Sequence, residues 1–261
     1  MFKSPEHLNR TKHATLCYDP NQSYAFAANE MRVPVLAGEM TMVARDYVVV
    51  FDATTPVPHA LLGVERDKNA YVTERGQWFG RYRPALIRAY PFTMVAVEGD
   101  EATPSDQQRF SIVIDADAMH LRFKEGERLF DSNGQPTPIM QKVQGVLEAV
   151  QKDMFRTRKL VSQLEQHGLL VARHLTIKRN NSAITGIRVI DAEALSKLAP
   201  EALAELRSSG ALELAYAQIL SLNNLRDSPI SWDGKTEHKD PDSKTMSLFD
   251  EGGDLDLDFL H

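Results

Sequence analysis

The stretch TPIMQKVQGVLEAVQKDMFRTRKLVSQLEQHG, residues 137–168, decides how the rest of the chain is read. Ile139, Val143, Val146, Val150, Met154, Val161 and Leu164 recur mostly at spacings of three and four. That recurrence marks one apolar face of a helix. Thr137 suits the N-cap, Pro138 the first helical position and Gly168 the stop. One long helix is expected here, and the pattern differs on its two sides.

Upstream, the chain reads as short strands broken by turns. Ala14–Tyr18 and Val33–Leu36 are apolar runs of strand type, and Gly38–Asp46 suits one short helix with Met40, Val43 and Ala44 on a face. Val48-Val49-Val50-Phe51 is β-branched and apolar without alternation, as in a strand covered on both faces. Pro56-Val57-Pro58 breaks the chain. Ala60–Val64, Ala70–Thr73, Pro91–Val97 and Phe110–Ile114 are the next expected strands, the last two joined by a polar loop from Glu98 to Gln108. Asp131-Ser132-Asn133-Gly134 is a turn signal.

Downstream of the helix, Leu169–Lys178 and Ile184–Ile190 read as two strands around Arg179-Asn180-Asn181. Asp191–Leu198, Pro200–Ser208 and Ala211–Leu225 read as three short helices. In the third, Leu212, Tyr216, Ile219, Leu220 and Asn223 fall near one face. The fold class expected is α+β, with a strand-rich part over residues 1–135 and a helix-rich part over 136–227, either two units or one continuous domain. Residues 228–261 read as a disordered acidic tail, too polar to bury enough surface.

Charge supports that division. Residues 228–261 hold nine Asp or Glu and three Lys, which accounts for the whole net charge of −6; residues 1–227 hold 27 basic and 27 acidic groups. A neutral body lacks the basic footprint of a general nucleic-acid binder. The single cysteine, Cys17, forms no internal disulfide and no thiolate zinc site. No apolar run suggests a membrane span and no secretory leader is visible, so a cytoplasmic location is expected.

The search for chemistry is mostly negative. No Walker loop, GxGxxG, GxSxG or HExxH occurs. The eight histidines are scattered; His59 and His120, with Asp115, would need the fold to bring them together as metal ligands. Glu39, Asp52 and Glu65 border apolar strands, where a carboxylate is more often a cap or a solvated group than an acid or base. No cofactor or metal is expected. One segment stands apart: Trp78-Phe79-Gly80-Arg81-Tyr82-Arg83-Pro84-Ala85-Leu86-Ile87-Arg88-Ala89-Tyr90-Pro91-Phe92 packs three arginines, five aromatics and two prolines into fifteen residues. Arginine stacks on aromatic rings and grips carboxylates or phosphates. The competing reading, which takes precedence, is an aromatic core whose arginines pair with internal carboxylates. Both hold if the arginines wall a cleft. Two apolar clusters in the tail, Met246-Ser247-Leu248-Phe249 and Leu255–Leu260, have the pattern of docking peptides, with Leu248, Phe249, Leu257, Phe259 and Leu260 as anchors.

The chain also resembles the SapC family of bacterial proteins. The resemblance runs through Ser23–Ala27, Val33–Leu36, Gly38–Met40, Tyr47–Phe51, Leu61–Gly63 and Asn69–Val72. It continues through Gly76–Trp78, Tyr82–Ala85, Arg88–Phe92, Leu129–Asp131, Gly134–Thr137, His167–Leu170 and Ser221–Leu225. Val48 stands where the family has proline, Ala89 where it has a second arginine, and Arg83 where it has an aliphatic residue. The family is named for a link to surface-layer formation, and similar proteins are often encoded beside TonB-dependent receptors and flavin halogenase-like enzymes. It supplies no established activity or catalytic residue.

Together these readings lead to a non-catalytic cytoplasmic accessory protein that binds a peptide or protein partner of a surface-layer or TonB-dependent uptake system. Its expected contact residues are Glu39, Trp78, Arg81, Tyr82, Arg83, Arg88 and Tyr90. The alternatives are an enzyme whose site assembles from distant residues, metal-dependent or not, and a scaffold that docks partners through its acidic tail.

Overall fold

The computed structural model describes residues 1–97, 108–123, 125–177 and 182–231. Its strands in chain order are β1 (Pro5–His7), β2 (Cys17–Tyr18), β3 (Arg32–Pro34), β4 (Val49–Asp52), β5 (Pro58–Leu61), β6 (Phe92–Ala96), β7 (Phe110–Asp115), β8 (Leu121–Arg122), β9 (Glu127–Arg128), β10 (Leu170–Ile177) and β11 (Ser182–Ile190). The helices are α1 (Met40–Asp46), α2 (Ala85–Ala89), α3 (Pro138–Gln166), α4 (Ala192–Ser196), α5 (Pro200–Ser209), α6 (Ala211–Ser221) and α7 (Asn224–Asp227). Short 3-10 turns cover Tyr24–Ala27, Ala37–Glu39 and Pro229–Ser231. The class is α+β.

Three antiparallel sheets carry the strands. The largest has the order β10-β11-β4-β5-β3, and the others run β1-β7-β6 and β8-β2-β9. Strands from both sides of α3 therefore share the large sheet, with Arg188 of β11 opposite Phe51 of β4. Strand β4 is central and buried along its whole length, as its unbroken apolar pattern implies. Proline does not keep Pro58 out of the sheet: it opens β5 opposite Phe51, at a strand's first residue, where a missing donor is tolerated. The expected strand at Ala70–Thr73 shrinks to a single bridge between Val72 and Trp78.

Helix α3 spans both halves of the core. Ile139, Met140, Val143, Val146 and Leu147 pack in one apolar cluster with Phe92, Ile114 and Leu129. Leu160, Val161 and Leu164 pack in the other, with β4, β5 and α6. The helix ends at Gly168 (φ +67°), as expected. Thr137 takes the N-cap backbone position, but its hydroxyl donates outward to the Arg128 carbonyl at 2.6 Å rather than capping the helix.

Helix α6 differs from its apolar pattern. The stripe holding Tyr216 and Leu220 faces outward, at 51% and 63% exposure. Ala211, Leu214, Ala215, Ala217, Gln218 and Ser221 face in. The physical reason lies in β4 and β11, whose ends need partners. Gln218 accepts from the Ile190 amide at 3.0 Å and donates to the Val49 carbonyl at 2.9 Å. Ser221 Oγ accepts from the Val49 amide at 3.0 Å. Small residues bring the helix close enough for those bonds, and buried backbone groups demand them.

Candidate functional site

The aromatic-arginine strip is held from beneath by a turn that α3 organises. The amides of Ala37 and Gly38 donate to Thr157 Oγ1 and Asp153 Oδ2, each at 2.8 Å. Thr157 returns its proton to the Asp153 carbonyl at 2.7 Å. The Leu36 amide donates to Glu39 Oε1 at 3.0 Å. These bonds occupy the free amides that open the 3-10 turn Ala37–Glu39, which leads into α1. They also aim Glu39 inward, where its Oε2 accepts from the Tyr82 hydroxyl at 2.9 Å and the Ala85 amide at 2.8 Å.

Glu39 is wholly buried. Burial raises its pKa, opposed by the Arg88 charge and by the donors from Leu36, Ala85 and Tyr82. Every partner of its oxygens is a donor, the arrangement that favours a carboxylate. Glu39 thus tethers the 36–39 turn to the 82–85 segment and supports the strip from inside. Burial likewise raises the pKa of Asp153, against the Gly38 amide and Arg156.

Above this anchor the strip closes on itself. Arg88 donates from Nε to the Arg83 carbonyl at 3.0 Å and from Nη2 to the Tyr82 hydroxyl at 3.1 Å. Its guanidinium lies 5.5 Å from the centre of the Tyr82 ring. Tyr47 donates to the Tyr82 carbonyl and accepts from Trp78 Nε1 at 3.1 Å. Gly80 permits this approach, because a Cβ there would sit 2.6 Å from the Tyr47 hydroxyl. Arg81 is exposed, and its charge acts on Asp46, whose Oδ2 accepts from the Tyr82 amide at 2.8 Å.

Arg83 differs from its neighbours. It keeps 9% of its surface exposed. Its Nη1 donates to the Tyr24 hydroxyl, and its guanidinium lies 5.3 Å from the centre of the Tyr24 ring. No carboxylate forms an ion pair with it among the described residues. Tyr24 is set by the turn at Gly76, whose carbonyl accepts from the Tyr24 amide at 2.7 Å. Gly76 has φ +74°, and a Cβ would come within 1.8 Å of Ser23 Oγ, so only glycine suits the position. Tyr24 meets Trp78 edge-on at 5.8 Å, and Trp78 lies parallel to Tyr71 at 6.3 Å. Half-buried Tyr24 thus lies between a nearly buried guanidinium and the half-buried Trp78 ring.

Tyr90 belongs elsewhere. It stacks on Phe26 at 3.7 Å and 10°, and its hydroxyl donates to Asp115 Oδ2 at 2.7 Å. The carboxylate also accepts from the amides of Ser4 and Lys3, at 2.8 and 3.1 Å. His120 meets Phe26 and Tyr90 edge-on at 5.6 and 5.2 Å. Its Nδ1 is buried without a hydrogen-bond partner, and burial pushes its pKa down to about 4, against the Asp19 charge. The sequence-expected strip is therefore divided: Tyr82 bonds both Glu39 and Arg88, Trp78 and Arg83 each meet Tyr24, Arg81 lies exposed with its charge on Asp46, and Tyr90 joins the second cluster. Tyr24 of the first group and Phe26 of the second are not among the contact residues expected from sequence. Their one visible signal is the aromatic pair in Ser23–Ala27.

The other candidates are separate. His59 lies in β5 with Nδ1 3.2 Å from the Val57 carbonyl. Asp52 binds Arg32 at 2.6 Å and Glu65 binds Lys68 at 3.1 Å. Among the described residues no three His, Cys, Asp or Glu side chains converge as metal ligands. Leu248, Phe249, Leu257, Phe259 and Leu260 lie outside the described residues.

Residues 8–227 match the sequence profile of the SapC family, a span that includes every residue of the strip. The chain belongs to the SapC family. No curated protein and no solved structure matches it. The family assignment covers Tyr24, Glu39 and the whole of Trp78–Phe92. No helix among the described residues is long and apolar enough to cross a membrane.

Proposed function

We propose that this SapC-family chain is a non-catalytic cytoplasmic binding protein, accessory to a surface-layer or outer-membrane uptake system, that recognises a peptide or protein partner through Tyr24, Trp78 and Arg83. The observation that carries the reading is Arg83 itself, a nearly buried guanidinium whose named contacts are a phenol and a ring rather than a carboxylate. A buried charge without a counter-ion is costly. Its narrow exposure suits a small anionic group such as a side-chain carboxylate, and the adjoining Tyr24–Trp78 ring pair suits an apolar or aromatic neighbour of that group. Arg81, exposed beside the strip, adds charge that draws an acidic partner.

The test is an array of short peptides that place Asp or Glu beside Phe or Leu, probed with the full chain and with Arg83→Met. Retention on acidic-aromatic peptides, lost in Arg83→Met at an unchanged unfolding midpoint, is the expected result. Retention indifferent to Arg83, or none at all, would remove the strip as the binding surface.

A further inference from the structure

Helix α6 turns a row of apolar side chains away from the body. Leu212, Tyr216 and Leu220 fall four residues apart, as one ridge along the helix. Tyr216 and Leu220 are exposed, and Leu212 and Ile219 beside them are half-buried. Helix α1, which packs against α6, adds the exposed Met42. Three of the six large apolar side chains that stand exposed among the described residues therefore lie on this helix pair. Single exposed apolar residues are ordinary, whereas a run of them along one face marks a contact surface.

The helix cannot roll to hide the row. Gln218 and Ser221, on its opposite side, bond the backbone of Val49 and Ile190. Turning Tyr216 and Leu220 inward would strand those buried groups. Cover for the row has to come from outside the chain's own core.

Charge says what that cover is. Glu213, the one charged residue of α6, is exposed in its first turn, at one end of the row. At the other end Asn224 donates from Nδ2 to the Ala44 and Tyr47 carbonyls at 2.8 and 2.9 Å. Those bonds bring the last turn of α1, which carries the exposed Arg45, to the end of α6. The row thus has a carboxylate at one end and a guanidinium at the other. Such a face is complementary to itself across a two-fold axis. Setting Tyr216 against the partner's Leu220 in antiparallel helices places Glu213 against the partner's Asn223, next to the Asn224 that holds the α1 end.

We propose that α6 is the centre of a symmetric homodimer, in which the Leu212–Tyr216–Leu220 row packs against the same row of a second copy and Glu213 pairs with the partner's Arg45. None of these residues belongs to the Tyr24–Trp78–Arg83 surface, so the dimer and the peptide-binding reading stand or fall separately. About 17 Å long and about 10 Å wide, the face falls short of the roughly 800 Å² per partner of a standard interface, and association in the micromolar range is expected.

The test is sedimentation velocity of the full chain from about 1 to about 300 µM, in about 150 mM salt to screen the net charge on each copy. The expected result is a reversible shift from the 29.3 kDa chain to a species of twice that mass. Leu220→Glu is expected to abolish the shift across the whole range. Glu213→Arg and Arg45→Glu should each raise the dissociation constant at least about tenfold, because every contact occurs twice in a symmetric dimer. Combined, they should return it to within about threefold of the unaltered chain, since the pair is then reversed but intact. All three positions are exposed, and circular dichroism checks that each variant folds; if Arg45→Glu does not, Leu220→Glu and Glu213→Arg decide alone. A monomer at every concentration, association that continues past two copies, a dimer indifferent to Leu220→Glu or to Glu213→Arg, or a double variant no tighter than either single one would overturn the proposal. The first of these would leave the row to a partner of different sequence.

Discussion

His120 sits against the edges of Phe26 and Tyr90 with one ring nitrogen buried and unpartnered. Burial holds its pKa at about 4, below the ordinary value of about 6.5. In the window between those values the unfolded chain binds a proton that the folded chain refuses. Stability from this group is therefore complete above about pH 6.5 and is lost as pH falls towards 4. Its imidazole signals are expected to titrate near pH 4, and His120→Phe should flatten the pH dependence of the unfolding midpoint in that window. A midpoint near 6.5 for His120 would contradict the buried placement. Asp52 acts at lower pH. Burial raises its pKa, but the Thr54 hydroxyl and amide, Arg32 and the Thr55 amide outweigh that and hold it at about 2. The stabilisation is present above about pH 4 and disappears as pH falls through 2. Discounted for the half-exposed Arg32, Asp52→Asn should cost about 1–2 kcal/mol at pH 7 and nearly nothing below pH 2, by denaturant unfolding at each pH.

At the scale of elements, the consequential contacts are polar side chains that complete another element's backbone. Thr157 and Asp153 of α3 serve the amides of Ala37 and Gly38; Gln218 of α6 serves both Val49 and Ile190. Gln218→Leu keeps the volume and strands a buried donor and a buried acceptor, a loss of about 2–4 kcal/mol. Thr157→Val is expected to cost about 1–3 kcal/mol. Because that turn positions Glu39 and through it Tyr82, it should also weaken peptide retention on the array. Chemical denaturation checks both, and a neutral Gln218→Leu would show that α6 does not hold the sheet in this way. The outward stripe of α6 shows why this was hard to read. Periodicity finds where apolar residues recur, whereas the buried face here was chosen by Gln218 and Ser221, which a hydropathy pattern counts as solvent-facing.

On the scale of the whole molecule, α3 joins two apolar clusters along 29 residues, about 43 Å of helix. Its first half packs in one cluster and its last turns in the other, and β11 carries the later chain back to β4. Unfolding is expected to be a single transition, coincident by far-ultraviolet circular dichroism and by tryptophan fluorescence. Two separated transitions would mean that the clusters melt independently. Val150→Pro, placed between the two halves of α3, should cost at least about 3 kcal/mol.

Much of this architecture was legible from local pattern. The α3 boundaries could be read from Pro138, Gly168 and the three-and-four spacing, because a helix face is a property of neighbours in sequence. Burial of Val48–Phe51 could be read from an apolar run without alternation, for the same reason. The strip from Trp78 to Phe92 was visible as composition. What composition left open was which side chains share a surface. Tertiary structure put Tyr24 over Arg83, drew Glu39 inside beneath Tyr82 and sent Tyr90 to Asp115 in the second cluster. Those outcomes depend on contacts between residues 25 to 59 positions apart in the chain. The sequence determined that arginine and aromatics would be crowded together; only the fold decided that Arg83 would meet Tyr24 rather than a carboxylate, while Glu39 was committed to Tyr82 and two backbone amides, because those partners are far apart in the chain.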